Sequence, residues 1–509
     1  MPAIANAELI AMADIARLAD QSRSTVGNWK SRYEDFPTAR GHSSRGPLYD
    51  QAEVIEWLRR NGRLAVSPGQ DEVVWRLIDG LRSELRSEDA FELLVIALGA
   101  KAVAQRVAPE RWEAVRHASP DAVGEQLRAA VHGLIPLAGR SVDVLDRCPP
   151  RAAAEAVSML ETIDVRAGEG ATVMTALIDK SADFLGRAGG EFSLPSSLRR
   201  LVTEMAQPSG IVYDPAAGLG QLLVESSSEG PATQLFGQEM NRRTWELGTI
   251  NLAVHDIAAT YECGDVFAKD AFPDLLADRV LAVPPFGQLL RNIDQLRDDP
   301  RWVFGEPTPK DGNIAWIQHC LHHLGNAGRA YIVMPRGVLF EGGRSGRVRQ
   351  RIIKAGLLDA VIALPSGMFS NTSIPSVLLV FERNRRNAGS PGSPGSVLMV
   401  DASEAGEKEA RAATRLQAAA IARVTSLYHA WRQGKLPPAQ ELVAVAQFDD
   451  IVKNDFIIDP RRYLAAPEVF ADEAVLQQRR TGLKTELLEA AETVAAADER
   501  LLRMLEAER

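Results

Sequence analysis

The amino-acid sequence predicts a multidomain α/β protein built around a doubly wound, Rossmann-like sheet. Residues 186–385 alternate strand-like apolar runs with helical stretches, the pattern of parallel strands joined by helices. Residues 70–185 carry helical periodicity with almost no strand pattern. The chain has 509 residues, too many for one ordinary core, and its 46% hydrophobic and 25% charged content excludes wholesale disorder. We expect four domains, at 1–65, 70–185, 186–465 and 466–509.

The composition limits where the protein is expected in the cell and which kinds of site it is expected to contain. There is no long uncharged apolar run and no basic-then-apolar start, so we expect a cytoplasmic protein without a membrane span. Cys148, Cys263 and Cys320 are scattered, which argues against a disulfide framework or a zinc site. The net charge is −9, so any nucleic-acid binding must use a local basic patch.

Residues 1–65 read as a small helical unit. A short helix at Met12–Ala19 is followed by a turn with Ser22 as a plausible N-cap, a polar helix at Arg23–Tyr33, a Gly/Pro-broken stretch and a helix at Gln51–Arg60. This layout is that of a winged helix-turn-helix, and it resembles the DNA-binding domains of phage excisionases. The alternative is a three-helix adaptor with ordinary solvated polar faces.

The polar helix and the loop after it supply the candidate DNA contacts. Residues 22–45 hold five basic and two acidic residues, enough for phosphate contacts beside a recognition helix. Polar side chains at the start of that helix offer donors to base edges. The candidates are Arg23, Ser24, Thr25, Asn28, Lys30, Arg32, Arg40 and Arg45. Residues 70–185, in contrast, contain no candidate catalytic or binding residues, and packing alone explains their helical periodicity.

Seven runs in residues 186–385 read as strands, several of them apolar throughout, as strands buried on both faces are. They are Gly210–Asp214, Gln234–Glu239, Ala259–Asp265, Arg279–Pro284, Arg329–Pro335, Leu358–Pro365 and Ser376–Glu382. Ligands of such sheets bind beyond the carboxyl ends of the strands. The residues that end these runs are therefore the candidate site.

Three successive strand ends suit an adenosyl-type ligand. The first strand ends in a turn from Asp214 in which Gly218 and Gly220 let the backbone approach a ligand closely. Glu239 ends the second run and places a carboxylate where ribose hydroxyls need an acceptor. Asp265 ends the third, next to an aromatic residue, and suits an adenine amino group. A tight strand-helix turn alone would explain the glycines, but the combination favours a site.

At this point the sequence, over about residues 70–465, resembles the modification subunit of type I restriction-modification systems, in the adenine-N6 DNA methyltransferase family. The resemblance extends beyond the strand ends to five further motifs in the family's order. They are Gly237-Gln-Glu-Met-Asn241 with Asn251-Leu-Ala-Val-His255, Asp311–His319, Gly328–Gly343, Leu364–Pro375 and Asn454–Tyr463. The resemblance implies an S-adenosylmethionine site at Asp214, Gly218, Gly220, Glu239 and Asp265, and a flipped-out adenine as substrate.

One departure from the family pattern concerns catalysis. The family's tetrapeptide Asn-Pro-Pro-Phe (or Tyr) at the end of the fourth strand reads Val283-Pro284-Pro285-Phe286 here. In the family, the Asn side-chain oxygen and the first proline's carbonyl accept hydrogen bonds from the adenine amine. Val283 has no acceptor, so the resemblance implies impaired methyl transfer, with Phe286 still able to stack on a base. Neutral drift in an active enzyme is the alternative.

Two smaller departures concern the cofactor. The family's Phe/Tyr-Thr-Pro, near the methionine end of the cofactor, reads Phe192-Ser-Leu-Pro195 here. The Gly-rich turn has Leu219 and Gln221 where the family has a small polar residue and often a third glycine. S-adenosylmethionine thus remains a possible cofactor, with Phe192 and Pro195 among its candidate contacts.

Two further groups of side chains are weaker candidates for binding sites, one for phosphate and one for a metal ion. A basic run follows Gly342-Gly343 on a predicted helix, and either a solvated face or phosphate contact explains it; its members are Arg344, Arg347, Arg349, Arg351 and Lys354. His319 and His323 are spaced i, i+4, but no third ligand follows at a matching spacing, so we predict no metal site.

The end of the chain predicts a coiled-coil helix. Residues 387–396 read as a flexible loop after the last strand. Beyond Tyr463, apolar residues recur every seven from Leu476 to Met504, which forms an a/d seam. One seam needs a partner: a second copy, another chain or the protein's own body. The resemblance implies a specificity-subunit-like partner.

Taken together, the sequence predicts a protein that binds double-stranded DNA on a methyltransferase scaffold, with methyl transfer impaired, for DNA recognition, regulation or phage defence. An active N6-adenine methyltransferase of a restriction-modification system is the first alternative. A scaffold that binds only proteins is the second.

Overall fold

The computed structural model describes the central part of the chain almost continuously. The described residues are 68–135, 143–161, 169–185, 194–229, 232–291, 296–369, 372–384, 395–408, 414–435 and 442–464, parts of the first 61 residues, and Arg480 and Lys484. The heptad seam predicted for 466–509 therefore lies outside the described residues. Within them, no helix is long and apolar enough to cross a membrane.

The N-terminal unit combines a small sheet with helices. Strands β1 (Leu9–Ala11), β2 (Ala39–Ser43) and β3 (Gly46–Asp50) form an antiparallel sheet in the order β1-β3-β2. Helix α1 spans Arg23–Arg32, as predicted to within one residue. The Gly/Pro-broken stretch that the sequence predicted as a wing-like loop is a β-hairpin, β2-β3. The sheet and helices share a core of apolar residues that includes Val26, Tyr49 and Trp57.

Residues 68–185, where described, are helical, in agreement with the periodicity. The helices are α2 (Pro68–Leu81), α3 (Ser87–Val107), α4 (Pro109–Arg116), α5 (Val123–Leu134), α6 (Val144–Arg147), α7 (Pro150–Glu161) and α8 (Glu169–Leu185). Helix α3 is their centre, because the sixteen residues Asp89–Ala104 are all buried.

A nine-stranded mixed sheet follows, and the predicted α/β class is confirmed. Its strands are β4 (Gly210–Asp214), β5 (Ala232–Glu239), β6 (Ala259–Cys263), β7 (Ala277–Ala282), β8 (Leu324–Pro335), β9 (Leu358–Ala363), β10 (Ser376–Glu382), β11 (Val397–Asp401) and β14 (Val443–Ala446). They are ordered β14-β11-β9-β10-β8-β7-β4-β5-β6. A separate hairpin pairs β12 (Gly406–Lys408) with β13 (Thr414–Leu416).

The sheet departs from the sequence prediction at two points. Strand β10 runs antiparallel to both β8 and β9, and β14 runs antiparallel to β11, so the sheet is mostly rather than wholly parallel. Strand β10 is also not the last strand, because β11 follows the 387–396 segment and pairs parallel with β9.

Helices cover both faces of the sheet, as in a doubly wound fold. They are α9 (Ser196–Ala206), α10 (Gln221–Glu229), α11 (Arg242–Val254), α12 (Gly312–His322), α13 (Gly343–Lys354), α14 (Ala418–Arg432) and α15 (Phe448–Lys453). One apolar core joins the sheet to α12, α13 and α15, and another joins it to α9, α10 and α14. Helix α11 also contributes Leu247, Ile250 and Val254 to the core of the helical domain.

Candidate active site

The carboxyl ends of β7, β4, β5 and β6 lie side by side at one edge of the sheet. In the turn after β4, Gly218 and Gly220 have φ angles of +55° and +71°, which glycine adopts without steric cost. A Cβ atom on Gly218 would meet nothing within 4 Å. The turn therefore borders open space where the sequence predicts a cofactor.

Glu239, the last residue of β5, is hydrogen-bonded to this turn. Its carboxylate accepts from the backbone N–H of Gly218 at 2.9 Å and from that of Asn241 at 2.7 Å. Burial raises the pKa of Glu239 and these backbone bonds partly offset the increase. The structure thus brings the glycine turn and the predicted ribose acceptor together.

Asp214, at the end of β4, is 1% exposed. Its carboxylate accepts from the backbone N–H of Ala216 at 3.0 Å. Burial and the nearby Glu239 carboxylate raise the pKa of Asp214 to about 8, against the lowering effect of the Ala216 bond. No cationic side chain among the described residues bonds to this group, so it is mostly protonated at neutral pH; a cation bound beside it would lower its pKa and be neutralised by the carboxylate.

Three residues that the sequence analysis did not assign to the site hold the turn in place. The side-chain amide of Asn251 donates to the carbonyl of Leu219 at 2.8 Å, and the Tyr261 hydroxyl donates to the carbonyl of Gly218. Gln221 accepts from the backbone N–H of Leu194 at 2.9 Å. Gln221, read from the sequence as a departure from the family's glycine, thus connects the turn to the segment before α9.

Asp265 lies two residues beyond β6, in the loop next to Glu239. One of its oxygens accepts from the backbone N–H of Phe267 at 2.9 Å. The loop is supported by Arg301, which is 7% exposed and donates to the carbonyl of Val266 at 2.7 Å. Arg301 is itself held by the Asp299 carboxylate. Nothing in the sequence pattern singled out Arg301.

The tetrapeptide follows β7 at the same edge. Val283 is half-buried and packs in an apolar cluster that includes Leu194, Phe286 and Phe369. The rings of Phe286 and Phe369 meet edge to face, with their centroids 5.3 Å apart. Pro284 is buried and Pro285 is exposed. Hydrocarbon therefore lines the position where the family has an amide.

Two amide side chains that contact the segment after the tetrapeptide bond to other groups. The Asn313 oxygen accepts from the backbone N–H of Gly287 at 2.9 Å. The Gln288 oxygen accepts from the indole N–H of Trp316 at 2.8 Å. Neither oxygen therefore replaces the acceptor that Val283 lacks. Of the predicted contacts at the methionine end, Pro195 precedes α9 and is half-buried, whereas Phe192 lies outside the described residues.

A small cavity of about 50 Å³ lies between the helical domain and α9–α11. Its lining includes Asp179, Glu225 and Arg199, whose guanidinium donates to Asp179 at 2.7 Å and to Glu225 at 3.0 Å. Burial lowers the pKa of Arg199, but the two carboxylates raise it by a larger amount. The pKa of Arg199 is therefore above its usual range. This ion-pair cluster fastens α9 and α10 to α8.

Asp270 lies beside His319 of α12 and His323, which directly follows that helix, although the spacing of the two histidines in the sequence offered no third ligand. The nearest ligand atoms of Asp270, His319 and His323 lie within 4.8 Å of one another. His323 contacts the Asp270 carboxylate at 2.9 Å and the carbonyl of Leu275 at 2.9 Å. Arg301 lies 3.2 Å from the Nδ1 atom of His319. A guanidinium donor on this nitrogen favours a hydrogen-bond network, and the absence of a metal stays a prediction.

The predicted DNA-binding residues lie on α1 and the β2-β3 hairpin. Thr25 is half-buried and Lys30 is exposed on α1, and Arg40 is exposed on β2, where it pairs with Glu53. The side chains of Arg23, Ser24, Asn28 and Arg32, and all of Arg45, lie outside the described residues.

The basic run on α13 is not uniformly a solvated face. Arg349 is 8% exposed and donates to the carbonyls of Phe456, Val338 and Glu341. It therefore joins α13 to neighbouring segments and is removed from the candidate phosphate contacts. Arg344, Arg347, Arg351 and Lys354 are exposed.

The sequence is similar to those of known DNA methylases. The profile of the N-6 DNA methylase family matches residues 172–472. The HindI type I restriction enzyme methylase subunit of Haemophilus influenzae is 31% identical over 305 residues, which cover 57% of this chain and 67% of that protein. The MjaIX type I restriction enzyme methylase subunit of Methanocaldococcus jannaschii is 28% identical over 56% of this chain and 54% of that protein. The chain thus spans about two thirds of the first relative's length and about half of the second's.

Solved structures agree on the fold. The type I restriction-modification system methyltransferase subunit from Streptococcus thermophilus superposes with a TM-score of 0.62 at 21% identity. That superposition covers 78% of this chain and 99% of the other.

Proposed function

The chain belongs to the N-6 DNA methylase family, and from this premise we propose that it is a DNA-binding protein whose methyl transfer is impaired. Its scaffold is that of a type I restriction-modification methyltransferase subunit. The proposed role is DNA recognition or regulation, for example in phage defence, rather than efficient modification of DNA.

Val283 is the observation that carries this proposal. Adenine presents an exocyclic amine with two N–H donors, and the Val283 side chain offers it hydrocarbon. A buried donor without a partner costs about 1–3 kcal/mol. A preorganised hydrogen-bond partner that acts in the transition state is worth about 2.7–4 kcal/mol, so its loss corresponds to roughly two to three orders of magnitude in rate. The amides of Asn313 and Gln288 do not compensate, because both hold neighbouring groups.

The residues at the strand ends fit S-adenosylmethionine, which is consistent with the family as a possible cofactor. Glu239 and Asp265 supply carboxylate acceptors for hydroxyl and amino donors at neighbouring strand ends, and Gly218 leaves the backbone open. The buried Asp214 carboxylate suits a cationic group. When bound, this cofactor supplies an electrophilic methyl group on a sulfonium. The chain's own contribution is to bind and orient it.

Binding to double-stranded DNA is supported by exposed basic residues. Lys30 on α1 lies beside the β2-β3 hairpin, in the order of elements of a winged helix-turn-helix. The exposed cations of α13 extend the possible phosphate contacts. The C-terminal heptad seam would join a second copy of the chain or a specificity-subunit-like protein.

A methylation assay tests the proposal. The purified chain is incubated with DNA and labelled S-adenosylmethionine, in parallel with Val283→Asn. We expect little transfer from the natural chain and a gain of about tenfold or more from the variant. Val452→Asn is the matched control, because Val452 is exposed on α15, and it should gain nothing.

The alternatives give different results in the same experiment. Robust N6-methyladenine formation by the unaltered chain would identify an active methyltransferase. Calorimetry with the cofactor and gel shifts at low and high salt complete the test. Absence of both cofactor and DNA binding would identify a scaffold that binds only proteins.

A further inference from the structure

We infer that the site at the end of β7 binds N6-methyladenine in preference to adenine. The inference rests on the proposed function, since it requires that a base reaches this edge of the sheet. It goes further because it assigns the site a ligand of its own, a base that already carries the methyl group.

The number of hydrogen-bond donors on the base is the first argument. The exocyclic amine of adenine has two N–H bonds, whereas that of N6-methyladenine has one N–H bond and one methyl group. At the end of β7, the Pro284 carbonyl is a single backbone acceptor, and no described residue donates to it. The adjacent side chain, Val283, is hydrocarbon. One acceptor beside one apolar surface matches the methylated amine and leaves one N–H of adenine unpaired.

The apolar surroundings of Val283 are the second argument. Leu194, Phe286 and Phe369 pack against the same cluster, and all four side chains are half-buried, so part of each remains accessible. The edge-to-face contact of the two rings fixes the position of Phe286. A methyl group placed between Val283 and these rings would exchange water for hydrocarbon contact, which is favourable.

The neighbouring polar groups do not reverse this preference. The oxygens of Gln288 and Asn313 accept from Trp316 and from the backbone of Gly287. Rotating Gln288 toward the base would leave the indole N–H of the buried Trp316 without a partner, which is unfavourable. The site thus keeps its apolar character when a base is present.

A competition experiment with short single-stranded oligonucleotides tests the inference on the full-length chain. Four oligonucleotides share randomised flanks and differ at one central base: adenine, N6-methyladenine, thymine or 5-methylcytosine. Each competes with a fluorescent oligonucleotide, and polarisation reports the affinity. One methyl group in an apolar pocket is worth roughly 10- to 200-fold, so we expect N6-methyladenine to bind about tenfold more tightly than adenine.

Substitution at the site should reverse the preference. Val283→Asn restores a side-chain acceptor and should favour adenine over N6-methyladenine, whereas Val452→Asn should keep the natural preference. Circular dichroism and the unfolding temperature establish that each variant is folded. A smaller substitution, Val283→Ala, should reduce the preference without reversing it.

The outcomes separate the inference from the proposed function. Equal affinity for adenine and N6-methyladenine would overturn the inference while leaving DNA binding intact. A preference for thymine or 5-methylcytosine equal to that for N6-methyladenine would also overturn it, because it would reflect the methyl group alone. If none of the four is bound, the inference fails, and the gel shift with duplex DNA decides separately whether the proposed function fails as well.

Discussion

The guanidinium of Arg301 donates a hydrogen bond to the backbone carbonyl of Val266 at 2.7 Å, although 35 residues separate them in the chain. Arg301 belongs to the segment that follows the tetrapeptide, and Val266 is next to Asp265. The same guanidinium is held by Asp299 and lies beside His319. The loop that contains Asp265, the predicted adenine acceptor, is therefore held by a residue from the segment that follows β7.

Arg301→Met should weaken cofactor binding by about tenfold with the fold retained. The substitution keeps much of the apolar stem but removes the donors to Val266, so the Asp265 loop loses its support; a lost charged hydrogen bond costs roughly 1.5–3 kcal/mol. Isothermal titration with S-adenosylmethionine measures the effect. Arg291→Met is the control, because Arg291 is exposed. An unchanged Kd in Arg301→Met would show that the loop holds its position without this bond.

Asp214→Asn should raise stability at neutral pH while weakening cofactor binding. The folded-state pKa of Asp214, about 8, exceeds that of an unfolded aspartate, so its contribution to stability declines as pH rises from about 4 toward 8. An asparagine side chain does not titrate, and its amide oxygen can still accept a hydrogen bond from the backbone N–H of Ala216. By pH 8 the gain should be on the order of 5 kcal/mol, because the pKa is raised by about four units and each unit corresponds to about 1.4 kcal/mol.

Denaturant unfolding at pH 4 and pH 8 checks this prediction. The two proteins should be equally stable at pH 4, and the variant should be more stable at pH 8. A cationic cofactor would lose the carboxylate, so its affinity should fall. The prediction is wrong if the stability difference is the same at both pH values.

Gly99→Val should destabilise the contact between the helical domain and α11. A Cβ atom on Gly99 would lie 2.2 Å from the Cγ2 atom of Ile250, so two helices would have to separate. Overpacking of this kind costs about 1–3 kcal/mol. Gly124→Ala is the control, because the nearest atom to its added Cβ is the carbonyl oxygen of Leu145 at 3.8 Å. Thermal unfolding should show a lower midpoint for Gly99→Val only.

Lys30→Ala should reduce the affinity of the full-length chain for duplex DNA. Lys30 is exposed on α1, and one lost phosphate contact lowers the slope of log affinity against log salt by about 1. Gel shifts over a range of salt concentrations measure the slope. Lys435→Ala, which removes an exposed cation after α14, should leave it unchanged. Equal slopes for both variants would place the DNA contact elsewhere.

Much of the sheet was predictable because its strands are short apolar runs bounded by turn residues. Strand orientation was not. All seven residues of β10 are buried, and a continuous apolar run looks the same whichever way the strand points. Strand β11 was missed because the Gly/Ser/Pro segment before it was interpreted as a flexible loop that follows the last strand.

The candidate site residues could be predicted because they lie at the ends of strands. The residues that hold them in place through long-range contacts could not be predicted. Asp270 meets His323 from 53 residues away, and no local spacing signals such a pair. Arg349 looked like part of a solvated basic face, yet its guanidinium is satisfied by backbone carbonyls of distant segments. Contacts of this kind depend on tertiary packing, which periodicity and charge do not report.

The burial of Asp89–Ala104 in α3 has a consequence for how the chain is made. Arg106, at the end of α3, donates to the carbonyl of Ala253, 147 residues later. During synthesis, α3 leaves the ribosome well before α11 exists to cover it, at about 5–20 residues per second. The apolar surface of α3 is therefore exposed for on the order of ten seconds before α11 can cover it. The nascent chain should bind chaperones over this interval and release them once residues 242–254 have emerged.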